Sequence, residues 1–156
     1  MENFAKKKNI NICLIGLGNI GFRHLQSILK LKKEINKIDI IDIKYNQIIK
    51  KKIYSLNKNN FQINFYQSYT KLRKKYDICI ISTNSDVRFY ALKKFYRYSY
   101  SKYLILEKFL FLNAKHFKYC KKLIKENNII AYINCPRRTY KIYKKISYKI
   151  KSKTKV

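Results

Sequence analysis

Three glycines and one aspartate have the types and spacing to do chemistry. Gly16, Gly18 and Gly21 all fall within GLGNIG, and they are all the glycine the chain contains. The run follows an apolar stretch, INICLI, and leads into a segment with helical spacing. In a GxGxxG turn of this kind the first glycine permits the tight turn and the second lets backbone approach a pyrophosphate. The third allows close packing of helix on strand. N–H groups at the helix start, helped by the helix dipole, then face the phosphates. Asp42 follows about 20 residues on, where an acid can accept from a ribose diol. The plainer readings are an ordinary strand-to-helix turn and a turn-capping acid. Against them stands the rest of the chain, which avoids glycine throughout. Asp42 favours NAD, since its carboxylate would repel a 2′-phosphate, while Lys44 nearby keeps NADP open.

These residues need a scaffold, and the hydrophobic pattern supplies one. Short apolar runs at 10–15, 37–42, 61–66, 77–83, 102–108 and 128–134 read as strands. Helical spacing runs from Ile20 to near Glu34 and through 45–56, 68–76, 87–99 and 113–127. Asn84, Ser85 and Asp86 offer N-cap chemistry for the fourth of these helices. Strands that read as continuous apolar runs and alternate with helices predict a parallel sheet buried on both sides. The expected fold is α/β: a doubly wound, mostly parallel, six-stranded Rossmann sheet with helices on both faces. It should occupy residues 1–136. Residues 137–156 form a lysine-rich tail with no second globular unit.

Composition bounds the function. The chain has 156 residues, 47% of them hydrophobic, and a formal charge of +29. That is enough for one domain with a real core. Lysine, isoleucine, asparagine, tyrosine and phenylalanine share A/T-rich codons, so part of the charge reflects mutational drift. A charge this large still attracts polyanions. Its lysines are spread over every element and its aromatics follow no RNA-binding signature, which ranks nucleic acid last among the expected partners. No apolar run nears the roughly 18 residues of a membrane span. Cys13, Cys79, Cys120 and Cys135 form no CxxC pair and no metal-ligand rhythm with His24 or His116. Reduced, structural thiols in a cytoplasmic protein are the expectation. His116 should be a solvated residue on a surface helix.

Four stretches, in order, resemble the N-terminal half of the Gfo/Idh/MocA oxidoreductase family: GLGNIGFRHL, DICIISTNSDVRFYAL, KYLILEKFL and AYINCPRRTY. The resemblance implies that Gly16, Gly18, Asn19, Ile20 and Gly21 form the pyrophosphate turn and that Asp42 holds the adenosine ribose. It implies that Thr83 and Asn84 line the cofactor cleft, and that His24 serves packing or cofactor-side contacts. Glu107 and Lys108 match the first two positions of the family's Glu-Lys-Pro motif, in which the lysine lies near nicotinamide and substrate. Lys108 would polarise a substrate oxygen as hydride moves. Phe109 stands where the family has a proline, often cis; because a cis bond before any other residue costs about 2.5 to 4 kcal/mol, the loop is expected trans.

Family members also carry a second α/β domain with the substrate contacts and the usual acid/base, and 156 residues leave no room for it. Two readings follow. One is a truncated NAD(P)-dependent dehydrogenase for a sugar, polyol or nucleotide sugar, with little turnover as a lone chain. The other is a non-catalytic NAD-binding module or remnant that needs a partner. Self-association is left open in both.

Overall fold

The protein is described from a computed structural model that covers residues 9–31, 35–44, 47–58, 60–136, 140–143, 145, 146 and 148. Six strands alternate with helices along the chain: β1 (Ile10–Ile15), α1 (Asn19–Leu29), β2 (Ile35–Ile41), α2 (Gln47–Leu56), β3 (Gln62–Tyr66), β4 (Tyr76–Ile81), α3 (Ser85–Tyr98), β5 (Ser101–Glu107), α4 (Ala114–Glu126) and β6 (Ile130–Asn134). All strand pairs are parallel, in the order β3-β2-β1-β4-β5-β6. The chain therefore leaves β1 in one direction for β2 and β3, then returns to β1's other side for β4. The crevice beyond the carboxyl ends of β1 and β4 is the place where such sheets take ligands.

Alternation along each strand divides the core. Ile12, Leu14, Ile38 and Ile40 face Leu25, Ile28 and Leu29 of α1 and Ile53 of α2. Cys13, Ile15, Cys79, Ile81 and Leu104 face Leu92 and Phe95 of α3 and Cys120 of α4. The sheet is thus covered on both sides, as the apolar runs predict.

Several boundaries differ from the pattern. The helix expected over 68–76 is a single 3₁₀ turn, Tyr69–Lys71. Ser68 caps it, but Leu72 is already extended and the Arg73 N–H donates to the Tyr76 hydroxyl, so no helical ladder continues. The sixth strand starts at Ile130 because Asn128 takes a positive φ of 50° and ends α4. Its side chains are mostly exposed rather than buried on both sides, since it is an edge strand that pairs with β5 alone. One buried polar group escaped the apolar reading of β2. Asp39 is fully buried, accepts from the Tyr76 hydroxyl at 2.6 Å and from Asn64 at 2.6 Å, and has Lys37 at 3.8 Å. Paired this way, a buried carboxylate is not left unsatisfied. The lysine-rich tail falls largely outside the described residues.

Candidate functional site

Each of the three glycines meets a different requirement. Gly16 has a φ of +88°, which L side chains rarely adopt, and its N–H donates to the Ile41 carbonyl at 2.8 Å. Gly21 lies against the turn itself: a Cβ there would sit 1.9 Å from the Gly16 carbonyl oxygen. Gly18 is different. Its φ of −64° and ψ of −173° suit any residue, and an added Cβ would meet nothing within 4 Å. Internal packing explains the first two glycines and leaves the third facing open space at the N-cap of α1. That cap has no side-chain hydrogen bond, and the first turn of α1 carries no acid. The N–H groups of Asn19, Ile20 and Gly21 begin the helix, where they have no intrahelical acceptor. The arrangement fits the diphosphate of a dinucleotide, which needs close backbone approach and free N–H donors.

Asp42 lies one residue past β2, half buried. Its Oδ2 accepts from the Leu17 N–H at 2.5 Å and its Oδ1 from the Lys44 N–H at 2.7 Å. It is therefore a turn-capping acid that also ties the glycine turn to β2. A carboxylate has about four acceptor positions, so a ribose diol can still be accommodated. Asp42, Gly16 and Thr83 share a cleft of about 280 Å³, with Tyr69, Val87 and Tyr90 along its further wall. Asn84 does not line that cleft. It is the exposed N-cap residue of α3, and its side chain makes no capping hydrogen bond.

Ile20, Glu107 and Lys108 line a second pocket of about 360 Å³, together with Arg23, His24 and Asn134. Glu107 is 8% exposed; its Oε1 meets His24 Nε2 at 2.6 Å and accepts from Asn134 Nδ2. The carboxylate thus turns toward α1 and β6. Lys108, next along, is exposed at the pocket. In sequence, Gly18 and Asn19 lie between Gly16 of the first cleft and Ile20 of the second. His116 departs from its expectation as a solvated residue: its ring stacks on Phe89 at a centroid distance of 3.7 Å, with Phe111 and Tyr90 edge-on.

The Lys108–Phe109 peptide is cis, which corrects the expectation of a trans loop. The surroundings supply a physical reason that residue 109 alone could not reveal. The carbonyls of Glu107, Phe109 and Leu110 all converge on Arg88 of α3, which also donates to the Thr83 carbonyl. Arg88 is 2% exposed and occupies a core position on α3, beside Ala91, Leu92 and Phe95. Burial pulls its guanidinium below the ordinary arginine range, and Glu107 and Asp86 partly offset this. Sequence reading passed over Arg88, as it passed over Asn134. The faint signal was an arginine kept in a chain whose basic residues are mostly lysine.

The sequence of residues 10–135 matches the family model described as "Oxidoreductase family, NAD-binding Rossmann fold". The chain belongs to the Gfo/Idh/MocA oxidoreductase family. No curated protein sequence gives a significant match. Among solved structures, scyllo-inositol dehydrogenase from Lactobacillus casei, with bound NAD(H) and scyllo-inositol, superposes with a TM-score of 0.73 at 16% identity, covering 93% of this chain and 42% of that one. Myo-inositol 2-dehydrogenase from Lactobacillus plantarum gives 0.67 at 19% identity, with 93% and 42% covered. A probable dehydrogenase from Thermotoga maritima gives 0.69 at 17% identity, again with 93% and 42% covered. The chain thus spans less than half the length of these solved structures. Within the family chain's described residues, no helix is long and apolar enough to cross a membrane, and no group of three or more His, Cys, Asp or Glu could hold a metal.

Proposed function

We propose that this chain is the NAD-holding part of an oxidoreductase acting on a sugar, polyol or nucleotide sugar. The observation that carries the reading is Gly18. Of the three glycines it alone has neither a backbone angle nor a neighbour that requires it, and it opens a helix whose first N–H groups have no intrahelical acceptor. A pyrophosphate explains the missing Cβ. The turn from Gly16 to Gly21 would hold the diphosphate, Asp42 the adenosine ribose, and Thr83 the wall of the cleft. Once bound, the cofactor supplies the hydride acceptor or donor. Lys108 would polarise the substrate oxygen from the second pocket, and Glu107, held by His24 and Asn134, would fix the strand end before it. Lys44 beside Asp42 leaves NADP as a weaker ligand.

Differential binding of a transition state needs a wall on the substrate side. We infer that a further domain or a partner supplies that wall together with the acid/base. The four cysteines are free thiols, consistent with a cytoplasmic protein. Isothermal calorimetry with NAD, on the parent and on Gly18→Val, tests the cofactor reading. Binding that is lost in the variant supports it. A folded parent that binds no NAD overturns it.

A further inference from the structure

Arg88 buries a positive charge, and the hydrogen bonds its two Nη atoms make among the described residues all go to backbone carbonyls. Its Nη1 donates to the Glu107 carbonyl at 2.6 Å, to the Leu110 carbonyl at 3.3 Å and to the Phe109 carbonyl; its Nη2 donates to the Thr83 carbonyl. Three of these acceptors bracket Lys108, on either side of it in the chain. The fourth lies just beyond the end of β4, at a residue that lines the dinucleotide cleft. One planar guanidinium therefore joins the wall of one pocket to the loop that carries the lysine of the other.

Stability alone is a poor explanation for a charge in this position. The neighbouring inward positions of α3 are Ala91, Leu92 and Phe95, and replacing buried ionic groups by apolar ones of similar volume is often neutral or stabilising. A lysine, common everywhere else in the chain, would not serve. It presents three donors from a single point, whereas arginine presents five in a fixed fork that can reach carbonyls on two loops at once. The Nε of Arg88 and the Oγ1 of Thr83 are buried and, among the described residues, have no hydrogen-bond partner. The junction between the two loops thus keeps spare polar capacity.

We propose that Arg88 is a positioning residue that couples occupancy of the cleft at Thr83 to the placement of Lys108. The proposal rests on the cofactor reading above. The coupling runs through rigid hydrogen bonds on a helix already fixed in the core, so a ligand against Thr83 is felt at residues 107–110 without passing through solvent.

The test is the rate at which an amine-reactive reagent labels Lys108, read by mass spectrometry against Lys102 of β5 as an exposed reference, with and without NAD. In the parent, saturating NAD should slow labelling of Lys108 about fivefold or more relative to Lys102, within the usual range of site-to-site coupling. In Arg88→Lys, NAD should still bind, and this protection should vanish. A variant that melts at a lower temperature yet keeps the full protection overturns the proposal, since Arg88 would then be merely structural. Should Arg88→Lys not fold, amide hydrogen exchange in the parent decides: the amides of Lys108, Phe109, Leu110 and Phe111 must slow together with that of Thr83 when NAD is added, and slowing at Thr83 alone overturns it. A parent that binds no NAD defeats the cofactor reading itself. Exchange at residues 108–111 in Arg88→Lys without NAD then tests the clamp, and unchanged exchange counts against it.

Discussion

A methyl group on Gly21 would lie 1.9 Å from the carbonyl oxygen of Gly16. Helix α1 therefore rests directly on the turn that precedes it, and no side chain fits between them. Gly18, midway in the same turn, would carry a methyl group into open space. Two glycines of one motif are thus required by the fold, and the third, which the fold leaves free, is the one proposed to serve a ligand.

The first prediction separates these demands. Gly21→Ala should cost about 3 kcal/mol through overpacking against backbone that cannot yield. For a chain of this size that is a fall of roughly 6 to 12 °C in melting temperature. Gly18→Ala should cost less than about 1 kcal/mol, the usual range for changes at an N-cap. It should nevertheless weaken NAD binding about tenfold or more, equivalent to 1.4 kcal/mol. Thermal melts and calorimetry on the two variants check both halves. Equal loss of stability in the two would defeat the distinction.

Asp42 links the glycine turn to β2 through the Leu17 and Lys44 N–H groups. An asparagine can accept one of these bonds with its carbonyl, but its amide end cannot accept the other. Asp42→Asn should therefore cost about 1 kcal/mol, its carbonyl kept on the half-buried Leu17 N–H and the exposed Lys44 N–H turned to water. It also removes the charge that repels a 2′-phosphate. The expected result is weaker NAD binding and a smaller preference for NAD over NADP, measured by titrating both into the same preparation. An unchanged preference would show that Asp42 is a turn cap alone.

Much of this was legible in the sequence because strands buried on two faces leave continuous apolar runs. INICLI matched β1 residue for residue, and the helix after the glycine run starts where spacing put it, although it ends at Leu29 rather than near Glu34. The segments that misled did so for local reasons. Residues 68–76 have helical spacing, but the hydroxyls of Ser68 and Tyr76 engage the backbone N–H groups of Thr70 and Arg73. The stretch 128–134 is as apolar as a central strand, yet it lies at the sheet's edge, and no pattern within one strand reports how many neighbours it has. Arg88 was hidden for a further reason. Its partners are main-chain carbonyls, which carry no residue identity, so no motif could announce it.

The third prediction concerns the His24–Glu107 contact, which joins α1 to the end of β5 at 2.6 Å. His24→Ala leaves a nearly buried carboxylate with Asn134 as its remaining side-chain partner among the described residues. The loss should be about 1 to 3 kcal/mol. Glu107→Gln keeps the shape and removes the charge, and should cost less than His24→Ala does. Urea unfolding of both variants checks the order. If Glu107→Gln proves the more damaging, the contact depends on charge rather than on satisfying a buried acceptor.

The last prediction is alkaline instability to which the buried thiols of Cys120 and Cys79 both contribute. Burial on the inward face of α4 pushes Cys120 up from 9.0 to about 11. Below pH 9 the thiol is protonated in both the folded and the unfolded chain, so the stabilising effect is fully present. Between pH 9 and 11 the unfolded chain releases the proton and the folded one retains it, and stability falls with rising pH. The contribution of this group is roughly 2 kcal/mol across that window, from a shift of about two units on a well-buried side chain. Tyr69, Tyr76 and Tyr96 are also raised, chiefly by burial, and act in the same direction at higher pH. Cys120→Ala isolates the thiol: its urea midpoint should lie below the parent's at pH 8, because a methyl group fills less of the core, and the gap should narrow at pH 10.5. A gap that stays constant across this range would mean that Cys120 ionises alike in both states, and burial at α4 would then not govern it.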